Sequence, residues 1–288
     1  MKEIKFNDLV SYSDLPNTIQ SSQDKKLKTK EEVMREFNAE KWGSILENLL
    51  SDPNKKLEDI DMVMESFNED KTFFYKKKFF LGTGKEVFDL HIDLYKEFLK
   101  DHLEDVSCLV ELGAGYGSKI LNLSQHNEFK HLPLYATEYT SNGCESIKIL
   151  AERMQKKIKV GLCDFKELTI DDIDIPKGGL VFTSYAAHYA PLLSDQFTKF
   201  INQLEPKLVV HFEPIYEYHL DDDYGSMCKK YIEMNDYNLN MGSVLDRSRQ
   251  LNKINITVCK NILGGNPFLP LSIVKWSSAE LKSSKSNK

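Results

Sequence analysis

Several common protein classes require features that this chain of 288 residues lacks. Its five cysteines, Cys108, Cys144, Cys163, Cys228 and Cys259, form no C-x-x-C pair and no Cys/His spacing of metal-site type. An odd, scattered set fits free thiols in a reducing compartment, not a disulfide framework. No apolar run approaches the roughly 18 residues a membrane-spanning helix needs, and no charged-then-apolar leader stands at Met1. Basic charge is not in surplus: 38 Lys and Arg face 44 Asp and Glu, for a formal net charge of −6. That balance speaks against a nucleic-acid binder. The basic clusters, Lys25, Lys26 and Lys28 and then Lys76-Lys77-Lys78, are short and separated, and read as solvated helix faces. There is no internal repeat. The expectation is a soluble cytoplasmic protein with neither membrane nor nucleic acid as partner.

At 41% hydrophobic residues the chain can build an ordinary core. Residues 1 to 30 are polar and lysine-rich, and are expected to be loosely ordered or to cap the fold. The pattern from 30 to 101 is helical, most clearly where Phe88, Ile92, Tyr95, Leu99 and Leu103 recur at steps of three and four. Gly82-Thr83-Gly84-Lys85 only imitates a phosphate loop, because residue 79 is Phe where G-x-x-x-x-G-K needs glycine. The neighbouring Tyr75, Phe79 and Phe80 read as core. Beyond this region strands and helices alternate, with candidate strands at 108–112, 133–137, 158–162, 179–184, 207–212, 255–263 and 271–276. No helix separates the last two. The fold class is therefore α/β, with a seven-stranded, mostly parallel Rossmann-like sheet, a reversed final hairpin and an N-terminal helical cap. The expected divisions are a helical cap or lid at 1–104, a core at 105–276 and a polar tail at 277–288.

The stretch "VELGAGYGS" at 110–118 carries the first chemical signal. Gly113, Gly115 and Gly117 let the backbone turn sharply, approach a ligand and open a helix. Glu138 follows the second strand about 20 residues later, where a carboxylate can accept hydrogen bonds from ribose hydroxyls. Cys163-Asp164-Phe165 ends the third strand with a carboxylate and a ring suited to an adenine. Glu111, just ahead of the glycines, would repel a pyrophosphate but suits a cationic sulfonium or amino group.

These stretches, with "ATE" ending at Glu138, "CDF" at 163–165, "LVFTSYAAHY" at 180–189 and "LEPKLVVHFEP" at 204–214, resemble the class I S-adenosylmethionine-dependent methyltransferases over about 105–276. The resemblance implies S-adenosylmethionine as cofactor. It places Glu111, Gly113, Ala114, Gly115 and Gly117 around the methionine part and Glu138 at the ribose, with Tyr139 as a further cofactor-binding residue. Asp164 and Phe165 fall at the adenine, and Ser184 with Tyr185 beneath the sulfonium. The Asn-Pro-Pro-Tyr motif of nucleobase and glutamine methylation is absent at the fourth strand end.

Sequence says less about the acceptor. His188 follows the fourth strand and is a candidate general base, with Tyr185 and Glu213 as the other candidate catalytic residues; His219 is a further base candidate, and His211 reads as a core residue. The segment at about 214–250, expected as a substrate lid, is rich in acids and tyrosines. Glu213 at the strand end, and Tyr216, Glu217, Tyr231, Glu233, Asn235 and Asp236 within the segment, are the candidate substrate residues. Carboxylates beside tyrosines suit a cationic acceptor, so nitrogen of an amine or guanidine is favoured over oxygen of a small natural product or sugar. A protein or RNA methyltransferase and a non-catalytic binding module are the remaining alternatives. No metal is expected, since neighbouring carboxylates such as Asp221-Asp222-Asp223 diverge and make a poor single-ion site. A small-molecule acceptor and, as a permitted assembly, a homodimer complete the expected partners.

Overall fold

The computed structural model describes residues 1–21 and 29–279. The cluster at Lys25, Lys26 and Lys28 and most of the polar tail lie outside the described residues. Eleven strands form one sheet: β1 (Lys2–Ile4), β2 (Asp70–Tyr75), β3 (Lys78–Thr83), β4 (Leu109–Leu112), β5 (Leu134–Glu138), β6 (Ile158–Asp164), β7 (Thr169–Asp171), β8 (Leu180–Ser184), β9 (Leu208–Glu213), β10 (Ile254–Gly264) and β11 (Leu271–Ser278). Their order is β1-β3-β2-β10-β11-β9-β8-β4-β5-β6-β7.

All seven candidate strands are present, as β4, β5, β6, β8, β9, β10 and β11. β4, β5 and β8 are buried along their whole length, which is why they read as unbroken apolar runs. They pair in parallel, Leu109 facing both Leu134 and Leu180. β11 lies antiparallel between β9 and β10, the reversal expected of the final hairpin.

The seven-strand count needs correction, and so does the all-helical N-terminal cap. β2 and β3 form a hairpin whose turn residues Lys76 and Lys77 both have positive φ, 47° and 68°. Two left-handed residues between paired strands match a type I′ turn, whose usual signature is Asn-Gly or Asp-Gly. With lysines there, the hairpin gives no turn signal. The Lys76–Lys78 cluster is therefore the tip of a hairpin and not a helix face; Lys78 pairs with Glu3 at 2.8 Å. β2 adds to the sheet edge through Tyr75–Leu263 and Phe74–Gly264, so the hairpin extends the sheet beside β10. Phe73 and Phe80 stack with ring centroids 5.5 Å apart, consistent with the core reading of this aromatic run. β7 supplies the eleventh strand at the opposite edge, antiparallel to β6.

The amphipathic helix is Gly84–Lys100. Thr83 caps it by accepting from the Glu86 amide, and its buried stripe includes Phe88, Ile92, Tyr95 and Leu99. Arg153 ties the preceding helices to the core: its guanidinium donates to the carbonyls of Leu49 (2.5 Å), Lys55 (2.8 Å) and Asp52 (3.2 Å). At the N-terminus, Leu9 and Ile19 are buried against Cys228 and Phe268, so this segment caps the fold. No helix among the described residues is long and apolar enough to cross a membrane.

His211 is a satisfied core residue, as its strand position suggests. Trp276 Nε1 donates to its Nε2 at 2.9 Å, which leaves Nδ1 protonated and bonded to Thr183 Oγ1 at 3.0 Å. Burial holds its pKa down to about 4, against an ordinary 6.5. A histidine depressed in this way stabilises the fold above pH 6.5, and the contribution is lost as pH falls toward 4. His211→Gln keeps a hydrogen-bonding side chain but does not titrate. Denaturant unfolding at pH 7 and pH 4.5 should show the variant losing about 3 kcal/mol less than the parent. Equal losses in the two proteins would remove this account.

Candidate active site

The site forms where β4, β5, β6, β8 and β9 end. Leaving β4, the chain turns through Gly113 (φ 75°), Gly115 (φ 60°) and Gly117 (φ 86°), all left-handed. The amides of Gly113 and Ala114 both donate to the Thr137 carbonyl at 2.8 Å, which locks this turn to β5. Side chains here would intrude as well as strain the backbone. A Cβ on Gly113 would lie 2.6 Å from Ala186 Cβ, and one on Gly115 would lie 3.1 Å from the Trp42 ring.

Two buried carboxylates flank the turn. Glu111, 1% exposed, accepts from the Ile120 amide at 3.0 Å. Burial drives its pKa up to about 8, against the smaller opposing effects of that amide and of Lys119. Glu138 accepts from the Gly115 amide (3.0 Å), Trp42 Nε1 (3.2 Å) and Thr140 Oγ1 (3.2 Å), and burial raises its pKa too. At the end of β6, Asp164 Oδ1 accepts from the amides of Lys166 (2.8 Å) and Glu167 (3.1 Å). Phe165 packs edge-on against Phe197 and reaches the Gly113 turn.

After β8 the loop opens with Tyr185 at φ 48°, a left-handed conformation unusual for a residue with a bulky side chain. Glu213, with no exposed surface, holds this loop: Ala186 N and Ala187 N reach its Oε1 at 3.0 Å, and His188 N reaches Oε2 at 3.3 Å. His188 Nδ1 lies 3.3 Å from Oε2. Burial alone would raise the Glu213 pKa, but His188 and the amides outweigh it and hold the carboxyl below its usual range. Asn238 braces the same loop by donating from its backbone to the His188 carbonyl (2.7 Å) and from Nδ2 to the Ala190 carbonyl (2.6 Å).

These strand ends surround a cavity of about 1110 Å3. Every candidate cofactor residue except Gly117 lines it: Glu111, Gly113, Ala114, Gly115, Glu138, Tyr139, Asp164, Phe165 and Ser184. Gly117 instead starts the helix Ser118–Leu123 and packs on Ile147 and Leu121. Tyr185 and His188 also face the cavity. The Tyr185 hydroxyl, however, donates to the Leu269 carbonyl at 3.2 Å and braces the β10–β11 connection.

The acidic segment does not form the expected cleft. Glu213 is enclosed behind the loop it holds. Glu217 caps the helix Met241–Gln250, accepting from Gly242 N (3.2 Å) and Ser243 N (2.8 Å). Asp222 likewise caps the helix Asp223–Met234. Asp221 pairs with Lys229 at the surface, and the exposed Glu233 accepts from the Tyr216 hydroxyl at 2.6 Å. Tyr231 packs beside Tyr237 and outside the cavity lining, and His219 is buried elsewhere. Only Asn235 and Asp236 of the candidate substrate residues reach the cavity. The reason is physical: carboxylates near helix starts collect free amides, and each one so used is withdrawn from a ligand.

Residues that sequence reading missed complete the walls. Trp42 ends the π-helical stretch Arg35–Trp42 and lies across the glycine turn, its ring centroid 5.7 Å from that of Tyr116. Lys41 sits over the rings of Phe37, Trp42 and Tyr189. Asp61 accepts from Tyr116 (2.8 Å), Ser118 (2.7 Å) and Asn122 (2.8 Å), docking the helix Leu57–Met64 beside the turn. His91, Tyr95 and the Lys119–Glu65 pair (2.9 Å) form the far wall. No local pattern marks these residues as part of a site, because their partners lie tens of residues away. Among the described residues, no group of three or more His, Cys, Asp or Glu side chains is placed to hold a metal ion.

The strand run β6-β5-β4-β8-β9-β11-β10, one reversed strand within it and the glycine turn after β4 together define the fold of a class I S-adenosylmethionine-dependent methyltransferase. The magnesium protoporphyrin IX methyltransferase ChlM from Synechocystis PCC 6803, solved with bound SAH, shares this fold: TM-score 0.50, 11% identity, covering 86% of this chain and 99% of that one. Geranyl diphosphate C-methyltransferase from Streptomyces coelicolor A3(2) overlaps less, with TM-score 0.46 and 13% identity over 67% of this chain and 84% of that one. No protein-family model and no curated protein sequence matches the chain.

Glu111 gives this site a stability signature. A carboxyl raised from 4.5 to about 8 leaves the folded state most favoured at low pH, and the advantage is lost as pH rises through 8. Glu111→Gln keeps an oxygen for the Ile120 amide and removes the charge. Above pH 8.5 it should unfold with about 4 kcal/mol more free energy than the parent, and the gain should vanish near pH 4. A variant no more stable at pH 8.5 would contradict the buried-carboxyl account.

Proposed function

We propose that the protein is a methyltransferase that uses S-adenosylmethionine to methylate a hydroxyl oxygen of a small molecule. The observation that carries this reading is the pairing of Glu111 and Glu138 around a glycine turn whose Cβ positions are blocked, at the edge of one large cavity. These residues fit the cofactor. Glu111 suits its cationic methionine part, the Glu138 carboxylate its ribose hydroxyls, and Asp164 with Phe165 its adenine. When bound, the cofactor supplies an electrophilic methyl group whose C–S bond breaks as the bond to the acceptor forms, with the electron pair leaving on sulfur.

What the chain adds is alignment and a base. His188 borders the cavity with Nδ1 beside the Glu213 carboxylate, which leaves Nε2 on the opposite edge of the ring to take the acceptor proton. Glu213 acts through His188 and through the loop amides, as a positioning residue. A hydroxyl acceptor needs such a base, because its oxygen is a poor nucleophile until the proton leaves. The preference for an amine or guanidine rested on the acidic segment, most of whose carboxylates cap helices or pair at the surface.

Two measurements test the reading. Calorimetry should show S-adenosylhomocysteine binding that Glu138→Ala largely abolishes; no binding to the parent protein would sink the proposal. With methyl-labelled S-adenosylmethionine and a small-molecule cell extract, His188→Gln should lower label transfer about 100-fold at unchanged cofactor affinity. Equal transfer by that variant would remove His188 as the base.

A further inference from the structure

The cavity is also lined by Lys71 and Thr72 of β2 and by Val87, Phe88, His91 and Tyr95 of the helix Gly84–Lys100, and there His91 is out of keeping with its surroundings. It lies 8% exposed on the helix face that otherwise buries Val87, Phe88, Ile92 and Tyr95. Its Nδ1 is 2.9 Å from the Val87 carbonyl. A carbonyl can only accept, so Nδ1 carries the proton and Nε2 presents a lone pair. That Nε2 is buried and has no hydrogen-bond partner. Burial first, then the Lys119 ammonium, holds the ring neutral with a pKa of about 4, and Glu65 and Lys71 are the other charged groups acting on it. An unsatisfied acceptor in a packed interior is costly and calls for an explanation.

The surroundings say what would satisfy it. The imidazole stands edge-on to Tyr95 (centroids 6.0 Å apart) and Tyr185 (5.9 Å), and Tyr185 in turn is 5.8 Å from His188. Across from it Gly265 presents no side chain; a Cβ there would lie 3.4 Å from His91 Cε1. A carbonyl or carboxylate at this point would set lone pair against lone pair, and an ammonium would meet Lys71 and Lys119. A neutral hydroxyl or N–H, carried on a flat ring that packs between the aromatic edges, meets neither objection.

Resting on the methyltransferase reading, we infer that His91 Nε2 accepts a hydrogen bond from the methyl acceptor at a point other than the methylated atom. The acceptor class is therefore an uncharged aromatic molecule with a second hydrogen-bond donor. His188 serves the reacting hydroxyl, His91 the anchoring one, and the Tyr185 ring lies between them.

The experiment uses the full chain saturated with S-adenosylhomocysteine, 15N-labelled at the histidine rings, with resorcinol as probe. Resorcinol should shift the His91 Nε2 resonance, while 1,3-dimethoxybenzene, which lacks both donors, should not. His91→Phe should weaken resorcinol about tenfold, the loss expected for one neutral hydrogen bond, and leave the S-adenosylhomocysteine Kd unchanged as a check on folding. Bound S-adenosylhomocysteine with no resorcinol binding, or with resorcinol bound and His91 Nε2 unmoved, would overturn the inference alone. Failure to bind S-adenosylhomocysteine would overturn the reading beneath it.

Discussion

A carboxylate with no access to water must collect hydrogen-bond donors, and at Glu213 those donors are three consecutive amides, Ala186 to His188. The loop that borders the cavity after β8 depends on that arrangement. Gathering the amides around one side chain compels the chain to turn immediately after β8, and Tyr185 takes a left-handed conformation to do so. His188 then lands beside the same carboxylate, and its carbonyl is left for Asn238. Replacing Glu213 by an apolar residue would leave three buried amides unpaired, a cost of several kcal/mol. The charge is therefore structural first, and its effect on His188 is a consequence.

The three strand-end carboxylates show how environment divides one chemical group among tasks. Glu111 has one amide donor and a pKa near 8; Glu138 has three donors and is raised; Glu213 has three amides and an imidazole and is lowered. The least satisfied of them faces the glycine turn, where the proposed cationic ligand would complete it. Trp42 contributes one of the Glu138 donors and covers the turn, so the N-terminal region is part of the cavity wall. Lys119 sits buried against Glu65, holding that carboxyl down to about 2, and Lys71 adds a second ammonium to this wall.

Much of this was legible in the residues. The central strands are buried on both faces, so their composition alone marks them, and the stripe ending at Leu99 marks its helix. The glycine turn was legible because a sharp left-handed turn favours residues without side chains, and Glu138 because it ends an apolar strand. The β2–β3 hairpin was not, because its turn is Lys-Lys and its aromatic residues suit a helix face as well as a strand. The acidic segment misled for a related reason: the sequence shows that Glu217 and Asp222 are charged, but not which helix start each will cap.

The chain by itself determined the alternation of strands and helices, the reversed final hairpin and the position of the glycine turn after β4. These follow from burial patterns and backbone requirements that act over a few residues. Only the tertiary structure decided which polar groups remain free once folding has used the rest. It enclosed Glu213, spent Glu217 and Glu233 elsewhere, laid Trp42 over Gly115, and left His91 Nε2 buried and without a partner in the cavity wall. Hydrogen-bond satisfaction of a buried group depends on neighbours that meet only when distant segments pack, and no local pattern records them.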